Sequence, residues 1–205
     1  LLKKIEGLKI DPIISAELDL VAKRLEDSGW VIEEPQAPNF QEAAKFQATL
    51  WLGEFRRTGG EAIIKEKEPD SNFIYSQMSR RCPDTSLEKF MDSLQQRARI
   101  SREWNKFFDQ YPIILCPITG DIPFPDLKDL ESEESFDLVF DSMLPQIAPP
   151  YMGLPGLSFA TSQTKQKIPL GVQFISRKFR EDLLLNVGYD LEKYYPKIEP
   201  VLPNF

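Results

Sequence analysis

Apolar residues recur every three or four positions through four stretches of this chain, and each stretch predicts a helix. In the first, Ile14, Leu18, Val21, Ala22 and Leu25 fall on one face. Asp11 followed by Pro12 suits an N-cap and a first helical residue, and Gly29 is a natural stop. Trp30, Val31 and Ile32 then read as a short strand, and a helix–strand unit points to the α/β class. In the second, Phe40, Ala43, Ala44, Ala48, Trp51, Leu52 and Phe55 repeat at helical spacing after a capping-box pattern at Asn39 and Glu42. Gly59-Gly60 follows its end. The third carries another capping-box pattern at Thr85 and Glu88 and has no Gly or Pro as far as Tyr111. Its Leu87, Met91, Leu94, Ala98, Trp104 and Phe108 lie near one face. The fourth runs from Glu181 to Tyr194, with Leu184, Leu185, Gly188 and Leu191 inward.

Three shorter apolar runs read as strands. Tyr111 to Cys116 ends at Pro117, and Leu157–Ala160 and Leu170–Ile175 are short and apolar, as in a sheet covered on both faces. The class is therefore α/β, a mixed sheet covered by helices. Between these elements, residues from about 57 to 84 form a variable loop or helical region, polar and irregular after Lys65. Residues from about 121 to 148 read as an acidic loop broken by Pro123 and Pro125, with a short helix near Ser135 to Met143. No internal repeat stands out.

Composition narrows the chemistry. The 205 residues can bury a sizeable core, and 41% hydrophobic with 28% charged residues is ordinary for a globular protein. A net charge of -7 without a basic stripe argues against nucleic acid as a partner. Histidine is absent, which excludes Ser-His-Asp, Cys-His and His-ligated zinc chemistry within this chain. Cys82 and Cys116 have no metal-ligand spacing and read as reduced structural thiols, so no metal or cofactor is expected. The acidic run Asp126, Asp129, Glu131, Glu133, Glu134, Asp137 and Asp141 lacks EF-hand order and reads as solvated surface. Nothing marks Glu17 with Asp19, or Glu33 with Glu34, as an acid–base pair. The chain opens on Leu1 with no charged-then-apolar leader, and a cytoplasmic setting is expected.

Certain residues carry more specific information. Gly153 and Gly171 suit tight turns or close backbone approach, and Pro155 and Pro169 fix turn geometry beside strands. Gln173, in an otherwise apolar strand, must find partners, either nearby backbone or a substrate. Trp51 and Trp104 sit on apolar helical faces, to pack a core or line a pocket. The loop Pro117-Ile118-Thr119-Gly120 follows a buried strand and is a candidate pocket wall.

Two blocks resemble the amidase signature family of serine hydrolases. One is WNKFFDQYPIILCP, from Trp104 to Pro117, a helix end leading into a strand that closes on Pro. The other is Gly153-Leu154-Pro155, then Ile168-Pro169-Leu170-Gly171-Val172-Gln173-Phe174-Ile175, then Glu181 to Glu192. The resemblance implies the C-terminal portion, residues 1–205, of a single amidase-like domain. It also implies hydrolysis of small-molecule carboxamides through a Ser acyl-enzyme, with a second Ser in a cis peptide and a Lys base. The two Ser sit in a Gly-Gly-Ser-Ser-Gly-Gly type stretch that this sequence does not contain, and no residue here matches a catalytic position. Pro150 stands where many members place an Asn, and the Gly-Thr-Tyr stretch of the tRNA-linked branch is missing. The expected role is scaffold and pocket wall, inactive alone, partnered by the N-terminal half of an amidase or by self-association. The alternative is a non-catalytic binding or structural module derived from an amidase.

Overall fold

The computed structural model describes residues 1–195. Its sheet has three strands, β1 (Ile113–Pro117), β2 (Gly156–Gln163) and β3 (Pro169–Ser176), in the order β1-β3-β2, with both pairings antiparallel. β3 is central. Leu115 faces Phe174 and Cys116 faces Gln173 on one side, while Phe159 faces Val172 on the other. A register shift between Ala160 and Ser162 bends β2. Thr164 closes the β2–β3 turn, accepting at its hydroxyl from the Gln166 and Ile168 amides, each at 3.2 Å.

Period-2 alternation sends the strand side chains to two apolar layers. Leu115, Val172 and Phe174 pack against α1 (Pro12–Asp27) and α8 (Glu181–Glu192), through Leu18, Val21, Leu25, Leu184, Val187 and Leu191. Ile114, Cys116 and Ile175 pack on the opposite face. There they meet α2 (Phe40–Thr58), α5 (Leu87–Gln110) and α7 (Leu144–Met152), through Phe40, Trp104, Phe108, Tyr151 and Met152. Phe40 and Trp104 meet edge to face with ring centroids 4.7 Å apart. Two caps hold where the sequence placed them: Asp11 accepts from the Ile13 amide at 2.7 Å and Asn39 from the Gln41 amide at 2.7 Å. At α5 the cap is Ser86 rather than Thr85, accepting from the Lys89 amide at 3.3 Å.

Four larger expectations need correction. Trp30, Val31 and Ile32 form no strand, because among the described residues no neighbouring strand offers a ladder; Val31 is exposed and the Trp30 indole donates to Asp190 at 2.9 Å. The polar region after Gly59 is largely helical, as α3 (Gly60–Glu66) and α4 (Pro69–Arg81). Glu68 caps α4, accepting from the Asp70 and Ser71 amides at 3.1 and 2.6 Å, ahead of Pro69. The acidic loop is also mostly ordered. A 3-10 turn (Lys128–Leu130) precedes α6 (Glu133–Ser142), which Ser132 caps, and then comes the proline-bearing α7. Finally, two helices turn differently about their axes. Leu185 of α8 points out and Val187 in, and the buried face of α5 runs through Ser93, Ile100, Trp104 and Phe108. Leu87, Met91 and Leu94 stand in solvent, because a 24-residue helix, about 36 Å long, overruns the layer it covers.

Candidate functional site

A cleft of about 810 Å³ opens between α2, the α4–α5 junction and the α6–α7 corner. Small residues Ala44 and Ala48 on α2 leave its volume free, and Leu52, Leu144 and Ile147 make an apolar floor. Trp51 stands on its rim, 53% exposed. A large concave apolar space with a few polar groups at the mouth is the usual form of a small-molecule site.

One wall is fixed by charge. Arg81, at the end of α4, donates to Asp137 at 2.7 Å and also to Asp141, both on α6, and its guanidinium lies 4.6 Å from the centre of the Phe140 ring. Arg80 donates to Asp137 at 2.6 Å and lies 3.3 Å from Glu133. The hydrogen bond from Arg81, then that from Arg80, holds the Asp137 carboxyl below its ordinary range. Because α4 has no buried side chain, these ion pairs are its main tie to α6. The acidic run of the sequence is thus partly a docking strip for two arginines.

The sequence candidates fall into separate places. Trp51 belongs to the cleft, whereas Pro117, Ile118, Thr119 and Gly120 lie outside its lining. Pro117 pairs with Val172 at the end of β1. Gly120 is stitched between two segments: its carbonyl accepts from the Asp11 amide and its amide donates to the Ser142 carbonyl, both at 2.8 Å. A Cβ on Gly120 would sit 2.3 Å from the Lys9 carbonyl oxygen. The Thr119 hydroxyl donates to the Asp121 carbonyl at 2.7 Å.

The motif residues organise the turn into the sheet. Gly153 has φ 67° and closes α7, a left-handed position that favours glycine. The Pro155 carbonyl accepts from the Ser176 amide at 3.3 Å, and Pro169 opens β3 opposite Gln163. Gly171 lies beneath β2, where a Cβ would come within 2.7 Å of the Phe159 carbonyl oxygen. Gln173 donates from Nε2 to the Pro145 carbonyl at 3.0 Å, with the Cys116 sulfur 3.7 Å away. Burial pushes the Cys116 thiol up to about 12, against the opposing contact from Gln173, so it stays protonated and unreactive.

Several other titratable and hydroxyl groups are occupied. Glu17 accepts from the Ser162 hydroxyl at 2.7 Å, while Asp19 and Glu34 flank Lys3 at 2.9 and 3.0 Å. The buried Ser93, Ser142 and Ser176 hydroxyls donate to the carbonyls of Lys89, Val139 and Arg180. None is presented as a nucleophile. Among the described residues no cluster of three His, Cys, Asp or Glu side chains could hold a metal, and no helix is long and apolar enough to cross a membrane. The cleft residues Arg81, Phe140, Leu144 and Ile147 were not foreseen. The Arg80-Arg81 pair facing Asp137 and Asp141, spaced one turn apart, was the available signal.

Known proteins place this geometry. Indoleacetamide hydrolase of Bradyrhizobium diazoefficiens is 26% identical over 188 residues, covering 91% of this chain and 36% of the relative. A glutamyl-tRNA(Gln) amidotransferase subunit of Desulforapulum autotrophicum is 27% identical over 222 residues, covering 97% of this chain and 44% of that protein. Among solved structures, 6-aminohexanoate cyclic dimer hydrolase superposes with a TM-score of 0.73 at 16% identity, over 92% of this chain and 42% of the other. The corresponding amidotransferase subunit of Thermotoga maritima gives 0.61 at 20% identity, over 97% and 42%. This chain therefore spans about two-fifths of these proteins. The family model described as Amidase matches residues 1–185, and the chain belongs to that family.

Proposed function

We propose that this chain is the C-terminal part of an amidase that converts a carboxamide to an acid and ammonia or an amine. It supplies sheet, covering helices and one wall of the acyl pocket. The observation that carries this reading is the family match over residues 1–185 in a sequence that lacks the Gly-Gly-Ser-Ser-Gly-Gly stretch. In the intact enzyme the Lys would accept the proton of the bridging Ser, which would take that of the nucleophilic Ser. The nucleophile would form an ester with the acyl carbon as the amine leaves with a proton, and water would hydrolyse the ester. The cleft would seat the non-reacting part of the acyl group. Trp51 with Leu52, Leu144 and Ile147 suits a flat apolar group such as the arylacetyl unit named in the indoleacetamide relative.

The unpaired sheet edges agree with a larger assembly. Among the described residues no strand pairs with the outer edge of β1 or β2, and only the Leu2 amide reaches the Leu115 carbonyl, at 2.8 Å. The partner is then the N-terminal half of an amidase.

The test is reconstitution. The chain alone, and the chain co-expressed with an amidase segment bearing the Ser-Ser-Lys set, are assayed for ammonia release from indoleacetamide and aliphatic amides. No turnover alone and turnover in the complex is the expected result, with Trp51→Ala raising KM for the aryl substrate. No complex and no turnover would favour the non-catalytic module instead.

A further inference from the structure

The first half of α5 carries an apolar stripe that nothing in the described structure covers. Leu87, Met91 and Leu94 are 74%, 49% and 41% exposed, and Ala98 is exposed with them. Their spacing of four, three and four residues is the seam of a two-helix coiled coil rather than the broader stripe of a core helix. The cleft side of the same helix holds Lys89, Asp92 and Ser93, so the stripe faces away from the cleft.

The polar residues beside the stripe say what it fits. Glu88 lies seven residues before Gln95, and Arg102 seven residues after it. All three are exposed on one flank, and among the described residues neither Glu88 nor Arg102 has an ion-pair partner. A twofold axis near Gln95 brings Glu88 of each copy beside Arg102 of the other, making two ion pairs. The same register sets Met91 against Ala98 and the two Leu94 side chains near the axis. Leu87 then lies along the aliphatic stem of the opposing Arg102. A parallel arrangement would turn this flank toward the partner's opposite flank, so Glu88 and Arg102 would not meet and both ion pairs would be lost.

We infer that the first half of α5 is a pairing surface for a second copy of this chain, with the two helices antiparallel about Gln95. Isologous twofold contacts are the commonest way for one surface to complement itself. The small seam makes the dimer weak and concentration-dependent. The inference does not rest on the amidase reading, because it uses neither the cleft nor the sheet edges.

Sedimentation velocity on the 205-residue chain over a concentration series tests it. The wild type is expected to move reversibly from monomer to dimer. Glu88→Arg sets two arginines opposite each other and Arg102→Glu sets two glutamates opposite, each weakening the dimer by about tenfold. The double exchange Glu88→Arg with Arg102→Glu rebuilds both pairs in reverse and restores assembly, and Leu94→Asp abolishes it. Circular dichroism identical to wild type confirms that each variant folds. A wild type that stays monomeric, single exchanges that leave assembly unchanged, or a double exchange that fails to restore it would each overturn the inference.

Discussion

Gln173 donates its side-chain amide to the Pro145 carbonyl at 3.0 Å, and Pro149 is the reason that carbonyl is free. In a regular helix the amide four residues on would bond it, but Pro149 has no N–H to give. The polar residue in the central strand thus repairs a backbone gap in α7 and ties that helix to β3. Pro149 and Gln173 belong to one local solution, although 23 residues lie between them.

Gln173→Leu should therefore cost more than the loss of one hydrogen bond. It leaves a carbonyl unsatisfied, a penalty of about 1–3 kcal/mol. Pro149→Ala supplies the missing amide from within the helix, so when combined with Gln173→Leu it should recover part of the loss. Urea denaturation of the four members of this double-mutant cycle measures the coupling, and strict additivity would sink the relationship.

Two glycines should respond oppositely to alanine. At Gly171 a Cβ meets the Phe159 carbonyl oxygen at 2.7 Å, and backbone in a paired strand cannot move cheaply. At Gly188 the nearest atom is a methyl carbon of Leu157 at 3.2 Å, which a small χ adjustment relieves, and alanine also favours the helix by up to about 1 kcal/mol. Gly171→Ala should lower stability by about 1–3 kcal/mol, the scale of overpacking, while Gly188→Ala should be neutral or stabilising. Thermal unfolding of both variants decides this.

Much of the scaffold was legible in local signals. Asp11-Pro12, Asn39 and Gly29 mark helix ends by chemistry that acts within a few residues, and the three strands announce themselves as short apolar runs. The strand expected at Trp30–Ile32 failed because a strand exists only with a partner, which no local pattern reveals. The α5 face was misassigned because apolar residues occur on two sides of that helix, and only tertiary packing chooses between them. The cleft was scarcely legible, since it is assembled from α2, α4, α5, α6 and α7, with α4 and α6 tied through Arg81, Asp137 and Asp141, far apart in sequence. The helix formed by Leu144–Met152 was hidden by its prolines, whose structural cost is met at Gln173.

The arginine latch predicts a pH dependence of definite sign. The Asp137 carboxyl titrates below its ordinary range when folded, so its contribution is present above the unfolded value near 3.8 and is lost as pH falls through the lower folded value. The site is solvent-facing, so the effect should be small, about 0.2–1 kcal/mol, and weaker in high salt. Asp137→Asn should remove that part of the acid sensitivity and loosen α4, read as faster amide exchange over Pro69–Arg81 with α5 unchanged at Trp104 and Phe108. Equal exchange in α4 of the variant and the wild type would show that the ion pairs do not hold it.

The two thiols should separate cleanly under alkylation. Cys116 is fully buried beside Gln173 and its thiol titrates at about 12, so iodoacetamide at about pH 8 finds almost no thiolate there. Cys82 is half-buried on the cleft wall, with its sulfur 3.9 Å from the Thr49 hydroxyl, and it should take up one adduct. Intact mass spectrometry is expected to show a single modification under native conditions and a second only after unfolding. Prior filling of the cleft by an apolar acid should slow the first adduct and leave the second unchanged. The same burial gives the alkaline limb of stability: above about pH 9 the unfolded thiol ionises while the folded one cannot, so unfolding becomes easier as pH rises. Cys116→Ala should flatten that limb, and a wild-type-like slope in the variant would place the alkaline sensitivity elsewhere.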